Sequence, residues 1–368
     1  MKKSLIALAV LAASGAAMAQ SSVTIWGIVD AAYSNYSQGG VSKAFMTTSG
    51  NASSQLGFKG TEDLGGGMSA SFWLEAQLNN DSGAGAGYNS AANSLTNNGG
   101  LQFNRRSTID LTGKFGAIRL GRDYTPTFWS HTVFDPFGTL GAGAGSNVTL
   151  ASGQNALTAA RTNNGFSYLY NVAANGGSHG LGSQGVYAQV TYALAENLSN
   201  AATGAAGQYQ GARVGYAAGA LNVAVAYSES NSSTTAAVKY KETNIAGSYD
   251  LGVAQLMAKW GTNDSNVAAT KSTYYTIGAK IPMGSGYIPV SYGSVEQNNA
   301  KATGANQFAI GYVYNLSKRS ALYTTYSALS NKNGGTYTFL GGNGGGASGL
   351  PATTANGTGF DVGFRTSF

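Results

Sequence analysis

From Ser22 to its end the chain is a succession of segments of about ten residues in which apolar and polar side chains alternate, the length and period of a membrane-crossing β-strand. In GVYAQVTYAL, Val186, Ala188, Val190, Tyr192 and Leu194 share one face, while Gln189 and Thr191 lie on the other. ALNVAVAYS sets Leu221, Val223, Val225 and Tyr227 against Asn222 and Ala224, and NQFAIGYVYN sets Phe308, Ile310, Tyr312 and Tyr314 against Gln307 and Gly311. Apolar outward and small or polar inward is the pattern of a transmembrane barrel, although half-buried strands of a soluble sandwich also alternate. Two features favour the barrel. Tyr and Phe gather near the segment ends, where barrels carry aromatic girdles, and the connections alternate between tight turns and long polar loops. Ala218-Gly219, Asp250-Leu251-Gly252, Met283 to Gly286 and Asn315 to Lys318 are the clearest turns; Val172 to Gln184 stands at a turn position yet is long and Gly-rich.

After its first stretch the chain has no run of about 18 apolar residues, so no helix is available to span a membrane. A closed barrel is then the structure that satisfies every backbone group within a bilayer. Composition agrees: 10% of residues are charged, where soluble domains carry about 25%, and there are 22 Tyr and 14 Phe. Lys2 and Lys3 precede the apolar run Leu5 to Ala13, and Ala17-Met18-Ala19 offers a small-residue cleavage site. Residues 1–19 therefore read as a secretory signal peptide and residues 20–368 as one barrel domain. Without Lys2 and Lys3 the chain holds 19 basic and 15 acidic residues, a net charge of +4. The absence of Cys excludes disulfides, thiolate metal sites and a Cys nucleophile.

Sixteen segments begin near residues 22, 54, 68, 102, 115, 162, 185, 210, 221, 239, 253, 272, 287, 305, 319 and 359. They predict an all-β fold, a transmembrane antiparallel β-barrel of about 16 strands, wide enough for an aqueous channel. The break from Gly121 to Arg161 lacks the periodicity of a strand pair or a long helix, and so long a loop within a domain points to function. It is expected to fold into the barrel and narrow the passage. The chain closes on GFDVGFRTSF, where Phe360, Val362, Phe364, Thr366 and Phe368 share a face, and the terminal Phe368 resembles the assembly signal of outer-membrane barrels. His131 and His179 are the only histidines, one in the long loop and one in the long turn, so neither a metal triad nor wall-mounted Ser-His chemistry is expected. The Gly-rich runs GAGAG and GGNGGG lack the Lys and strand-to-helix setting of a phosphate loop. No enzyme activity, cofactor, metal or nucleic-acid partner is expected.

The stretches SVTIWGIVDAAY, SSQLGFKGTEDLGGG, FNRRSTIDLTGKFGAIRLGRDYTPTFW, DPFG, RTNNGFSYLY and SKRSALYTTYSAL, with the terminal Phe, resemble in order and spacing the general porins of Gram-negative bacteria, most of all those of beta-proteobacteria. The resemblance implies trimers of sixteen-stranded barrels in the outer membrane, bathed by lipid and lipopolysaccharide, passing small hydrophilic solutes and ions. It also implies a third external loop folded inside, whose acids face a basic cluster on the wall. Arg105 and Arg161 match basic wall positions and Asp135 an acidic loop position. Gln55 stands where the family usually has Arg, and Thr139 where some members carry a second loop acid. A barrel serving mainly as an adhesin or phage receptor is the alternative function.

Alternation places Arg161 in the lumen with Asn163, because Phe166, Tyr168 and Tyr170 take the outward face and a charge there would cost about 2–4 kcal/mol near the midplane. Arg105 and Arg106 cannot both face inward in a regular strand. Periodicity favours Arg106, the resemblance favours Arg105, and Arg105 is preferred if this wall packs on protein in a trimer. Lys59 shares its face with Gln55; Arg122 sits where strand gives way to loop, and Arg119 is inward if Ile118 and Leu120 meet lipid. Asp135-Pro136 is a turn dipeptide on any reading, and its carboxylate is expected to point across the gap at the Arg cluster. A surplus of Arg and Lys would raise local anion concentration, predicting mild anion selectivity. The four Trp read as interfacial anchors or packing.

Overall fold

The structure is a computed structural model that describes residues 22–89, 94–149, 160–171, 184–195, 197–199, 201, 204–231, 238–266, 271–340 and 349–368. The signal-peptide expectation for residues 1–19 and the turn containing His179 lie outside these residues. In chain order the strands are β1 Ser22–Gln38, β2 Val41–Thr48, β3 Gln55–Gly65, β4 Met68–Gln77, β5 Gly85–Asn89, β6 Ser94–Gly99, β7 Arg106–Gly113, β8 Gly116–Tyr124, β9 Arg161–Tyr170 and β10 Gly185–Ala193. They continue with β11 Tyr209–Ala218, β12 Leu221–Asn231, β13 Lys239–Asp250, β14 Gln255–Ser265, β15 Ser272–Met283, β16 Gly286–Gln297, β17 Gly304–Asn315, β18 Ser320–Lys332 and β19 Gly357–Ser367. Two short helices, α1 Pro126–Val133 and α2 Ser146–Thr149, lie between β8 and β9.

The main sheet has 17 strands and closes on itself, because β1 pairs with β19 from Ile28↔Ser367 to Gln38↔Gly357. The other edge of β1 is shared: its upper half pairs with β2 and its lower half with β3. These two occupy one place in the ring, giving the closed antiparallel barrel of 16 strands expected from the sequence. Closure leaves no ladder edge to be satisfied by lipid. β2 is not among the sixteen expected segments, and neither is the separate β5–β6 hairpin in the second long loop. The signal for β2 is Gly39-Gly40, with φ of +61° and +80°, a two-residue hairpin turn of the kind that requires positive φ at both positions.

Alternation sorts the faces as the sequence requires. On β10, Val190 is 52% exposed on the lipid side while the neighbouring Thr191 is 3% exposed. Val223, Val225 and Tyr227 on β12, and Phe360, Val362 and Phe364 on β19, are likewise exposed. Asn244, Gln307 and Ser327 point inward and are buried. Between β12 and β13, β14 and β15, and β16 and β17 the sequence leaves only 232–238, 266–271 and 298–303, so the contrast in length between loops and turns is weakest there.

The last residue locks the ring. The Phe368 amide donates to the Gly27 carbonyl (3.1 Å) and the Gly27 amide to the Phe368 carbonyl (3.3 Å), while the Phe368 ring lies where a Cβ on Gly27 would sit. Gly27→Val must displace that ring, an overpacking penalty of about 1–3 kcal/mol at the closing seam. The expected result is a reduced yield of heat-modifiable, folded barrel on gels. Wild-type yield would refute a role for this contact in closure.

Candidate functional site: a loop drawn into a charged lumen

The chain leaves β8 through a bulge between Gly121 and Asp123. Gly121 has φ +117° and abuts the Ser107 carbonyl, leaving no room for a side chain. Pro126 then opens α1 at the first helical turn, where its missing N–H is no loss. Every residue of α1 from Pro126 to His131 is buried although the segment is formally a loop, because it lies inside the barrel. The Asn244 amide donates to the Thr127 carbonyl (3.2 Å), and the Thr127 hydroxyl meets that of Ser228 (3.3 Å).

His131 is the main anchor. Its Nε2 lies 2.6 Å from Glu242 Oε1 on β13 and its Nδ1 lies 3.1 Å from Lys259 Nζ on β14. A neutral imidazole protonated at Nε2 satisfies both, donating to the carboxylate and accepting from the ammonium. Burial lowers the His131 pKa and the Lys259 charge lowers it further, against the opposing pull of Glu242. Glu242 Oε1 also accepts from the Tyr274 hydroxyl (2.8 Å) and the Asn244 amide (3.1 Å). Farther along, the Ala142 amide donates to Asp361 on β19 (2.7 Å) and the Ala142 carbonyl accepts from Gln307 on β17 (3.0 Å). The Leu340 amide, from the 333–356 connection, donates to Asn147 (3.0 Å). The inward-folded loop is thus clamped from β12 across to β19.

Asp135 is buried, and its two oxygens accept from the amides of its own loop, Phe137 (2.9 Å) and Gly145 (3.1 Å). Burial raises its pKa; Lys259, those two amides and Lys280 work the other way. The turn reading of Asp135-Pro136 therefore holds. Two backbone donors hold the carboxylate against the loop, so that it shares a cavity with the Arg cluster without an ion pair to it among the described residues.

The wall opposite carries alternating charges. Arg105 Nε binds Glu75 (2.6 Å); Arg119 binds Asp110 (2.7 Å) and Asp123 (2.6 Å); Arg106 approaches Asp110 (3.5 Å) and Asp123 (3.9 Å). Arg105 and Arg106 both line the lumen, contrary to the expectation that one excludes the other. The reason is that β7 begins at Arg106: Arg105 precedes the regular ladder, its amide bonded to the Glu75 carbonyl, and strand alternation does not govern it. The Tyr124 hydroxyl accepts from Arg105 (3.0 Å) and from Arg161 (2.6 Å), and the Arg161 guanidinium stacks 4.1 Å from the Tyr124 ring centroid.

A cavity of about 570 Å³ lies between loop and wall. Of the charged and polar side chains named from sequence, Gln55, Lys59, Arg105, Arg106, Arg119, Asp135 and Thr139 line it. Arg161 is connected to it through Tyr124. Arg122 is outside it, held by the Asn104 carbonyl (2.6 Å) and the Asn163 side chain (2.5 Å). Lys280 and Arg365 also line it, as do the acids Glu75 and Asp123, so six cations face three acids, a surplus of three positive charges. Strand parity could have found Glu75, two residues from Trp73 on one face, and Lys280, which alternates with the outward Ile277 and Ile281. His131 carried no such signal, because its partners are 111 and 128 residues away in sequence.

A model of the Gram-negative porin family matches residues 5–334. Outer membrane porin protein 32 of Delftia acidovorans is 39% identical over 100% of both chains, and an outer membrane porin protein of Bordetella pertussis is 29% identical over 90% of this chain and 95% of its own. The solved anion-selective porin from Comamonas acidovorans superposes with a TM-score of 0.76 at 33% identity, covering 95% of this chain and 100% of that one. Family and fold point to a channel rather than an enzyme. Matched over its whole length by outer-membrane porins and built as they are, this chain belongs to the Gram-negative porin family of the outer membrane.

Proposed function

We propose that the protein is a passive, water-filled diffusion pore for small hydrophilic solutes and ions with a mild preference for anions. The observation that carries the preference is the surplus of three positive charges around the cavity beside the inward loop. In a confined lumen with low-dielectric walls, such a surplus raises the local concentration of anions. In this reading Arg105, Arg106, Lys59 and Gln55 form one side of the constriction and the loop bearing Asp135 the other. Arg161 acts through Tyr124, while Arg122 braces the wall. The similarity to a porin described as anion-selective supports the same sign. The homotrimer, export led by residues 1–19, and contact with lipopolysaccharide belong to the same proposal.

Purified protein in a planar bilayer under a KCl gradient tests it. Ohmic conductance steps with a reversal potential of the anion-selective sign are expected. A cation-selective reversal potential would remove the selectivity, and absence of steps would remove the pore.

A further inference from the structure

Three of the four tryptophans face inward rather than serving as lipid anchors: Trp26, Trp73 and Trp129 line the cavity, and of the four only Trp260, 48% exposed on β14, lies on the lipid face. Barrel lumens that pass solutes are ordinarily polar. Here Trp26 and Trp73 meet edge to face with ring centroids 5.1 Å apart. The Lys59 ammonium and the Arg106 guanidinium lie 5.0 and 4.7 Å from the Trp73 ring centroid. Trp26 Nε1 and the Gln55 side-chain oxygen, both on residues that line the cavity, are buried without hydrogen-bond partners.

The cations divide into two kinds. Arg105, Arg106 and Arg119 are ion-paired to wall acids. Lys59, Lys280 and Arg365 line the same cavity with no carboxylate within 4 Å among the described residues, and Lys280 instead lies 5.8 Å from the Tyr287 ring centroid. Strand positions put all three toward the periplasmic end. Lys59 precedes the turn after Gly65, Lys280 precedes the turn after Met283, and Arg365 stands near the C-terminal Phe368.

We infer that this chamber is a binding subsite for small aromatic carboxylates, the arene resting against the Trp26 and Trp73 rings and the carboxylate meeting Lys59. The inference rests on the anion-passing pore proposed above and names a substrate class for it. Cations alone would concentrate any anion. Indole rings beside Lys59 add an attraction that an aliphatic anion of the same charge lacks, because aromatic pairs gain from ring quadrupoles as well as from buried area.

The test is block of single-channel KCl current by benzoate, cyclohexanecarboxylate and acetate added to the periplasmic side. The three share one charge, and the second matches benzoate in size without its π system. Benzoate is expected to half-block at a concentration about threefold to tenfold below that of cyclohexanecarboxylate. In Trp26→Leu/Trp73→Leu that ratio should fall toward one; because it is taken within each variant, changes in conductance cancel. If the double variant does not fold, Trp73→Leu alone should reduce the ratio and Trp73→Phe should retain most of it. Equal block by benzoate and cyclohexanecarboxylate, or a ratio that survives loss of the indoles, overturns the inference while leaving the anion-selective pore intact. A cation-selective reversal potential in KCl alone overturns the pore reading, and the inference with it.

Discussion

Glu242→Leu is expected to release the constriction loop from the wall. Glu242 Oε1 accepts from His131, Tyr274 and Asn244, and all three partners are buried. Removing the carboxylate leaves Lys259, 2% exposed, with one fewer compensating charge and strips the His131 Nε2–H of its acceptor. Leaving a buried donor without its acceptor costs about 1–3 kcal/mol, and more where a buried charge is affected, enough to displace a loop held by a handful of hydrogen bonds. Single-channel records should show larger unitary conductance and more open-state noise than wild type. Protease should also cut between Pro126 and Thr149 in intact cells. Wild-type conductance and resistance would mean that the contacts of Ala142 with Asp361 and Gln307 suffice to hold the loop.

The same latch has a pH dependence with a definite sign. Its neighbours are Glu242 on β13, Lys259 on β14 and Tyr274 on β15, with Thr149 and Asp135 from the loop itself. Burial holds the His131 pKa below the ordinary imidazole value, so the clamped state binds fewer protons than a released one. Stability of the clamp is therefore full above about pH 6.5 and declines as pH falls below it toward the lowered folded value. Open-state noise rising with acidification in wild type but not in His131→Gln is the expected signature.

Arg119→Leu is expected to be the most damaging single change in the wall. The Arg119 guanidinium binds two carboxylates, Asp110 and Asp123, each nearly inaccessible to solvent. Its loss leaves them with Arg106 at 3.5 and 3.9 Å. Destabilisation of about 3–5 kcal/mol should appear as a lower urea midpoint and a reduced folded fraction. Adding Asp123→Asn should recover part of the loss, since it removes one of the stranded charges. Lys59→Gln provides the contrast: Lys59 has no carboxylate partner among the described residues, so stability should change by less than about 0.5 kcal/mol while anion preference falls. If Lys59→Gln proved as destabilising as Arg119→Leu, the division between structural and solute-facing cations would be wrong.

Much of this is legible in the chain. Faces such as those of Val190 and Thr191, or Phe360 and Asp361, follow from a period of two and from the different solvents on the two sides of the wall. The same parity places Lys59 and Arg119 inward. Parity stops at the ends of ladders. Arg105, one residue before β7, and Arg122, within the bulged end of β8, are beyond it, and one lies in the cavity while the other braces the wall. The tryptophans escape a reading by residue type because Trp suits either a membrane interface or a packed interior. Trp26 and Trp73 sit on inward rows of β1 and β4.

Alternation, the lack of a spanning helix and the bilayer's demand for paired backbone groups are enough by themselves to require a closed barrel of about sixteen strands with a long loop between the fifth and sixth expected strands. How that loop is held, and which charges are free to meet a solute, emerges when the strands are brought together in space. His131 reaches Glu242 and Lys259 across more than a hundred residues, and Asp135 bonds its own loop rather than the arginines. Glu75, Asp110 and Asp123 engage arginines that a sequence count would have assigned to the pore. Such pairings depend on distances of a few ångströms between side chains from different strands, and a one-dimensional pattern records which face a residue takes but not what it meets there.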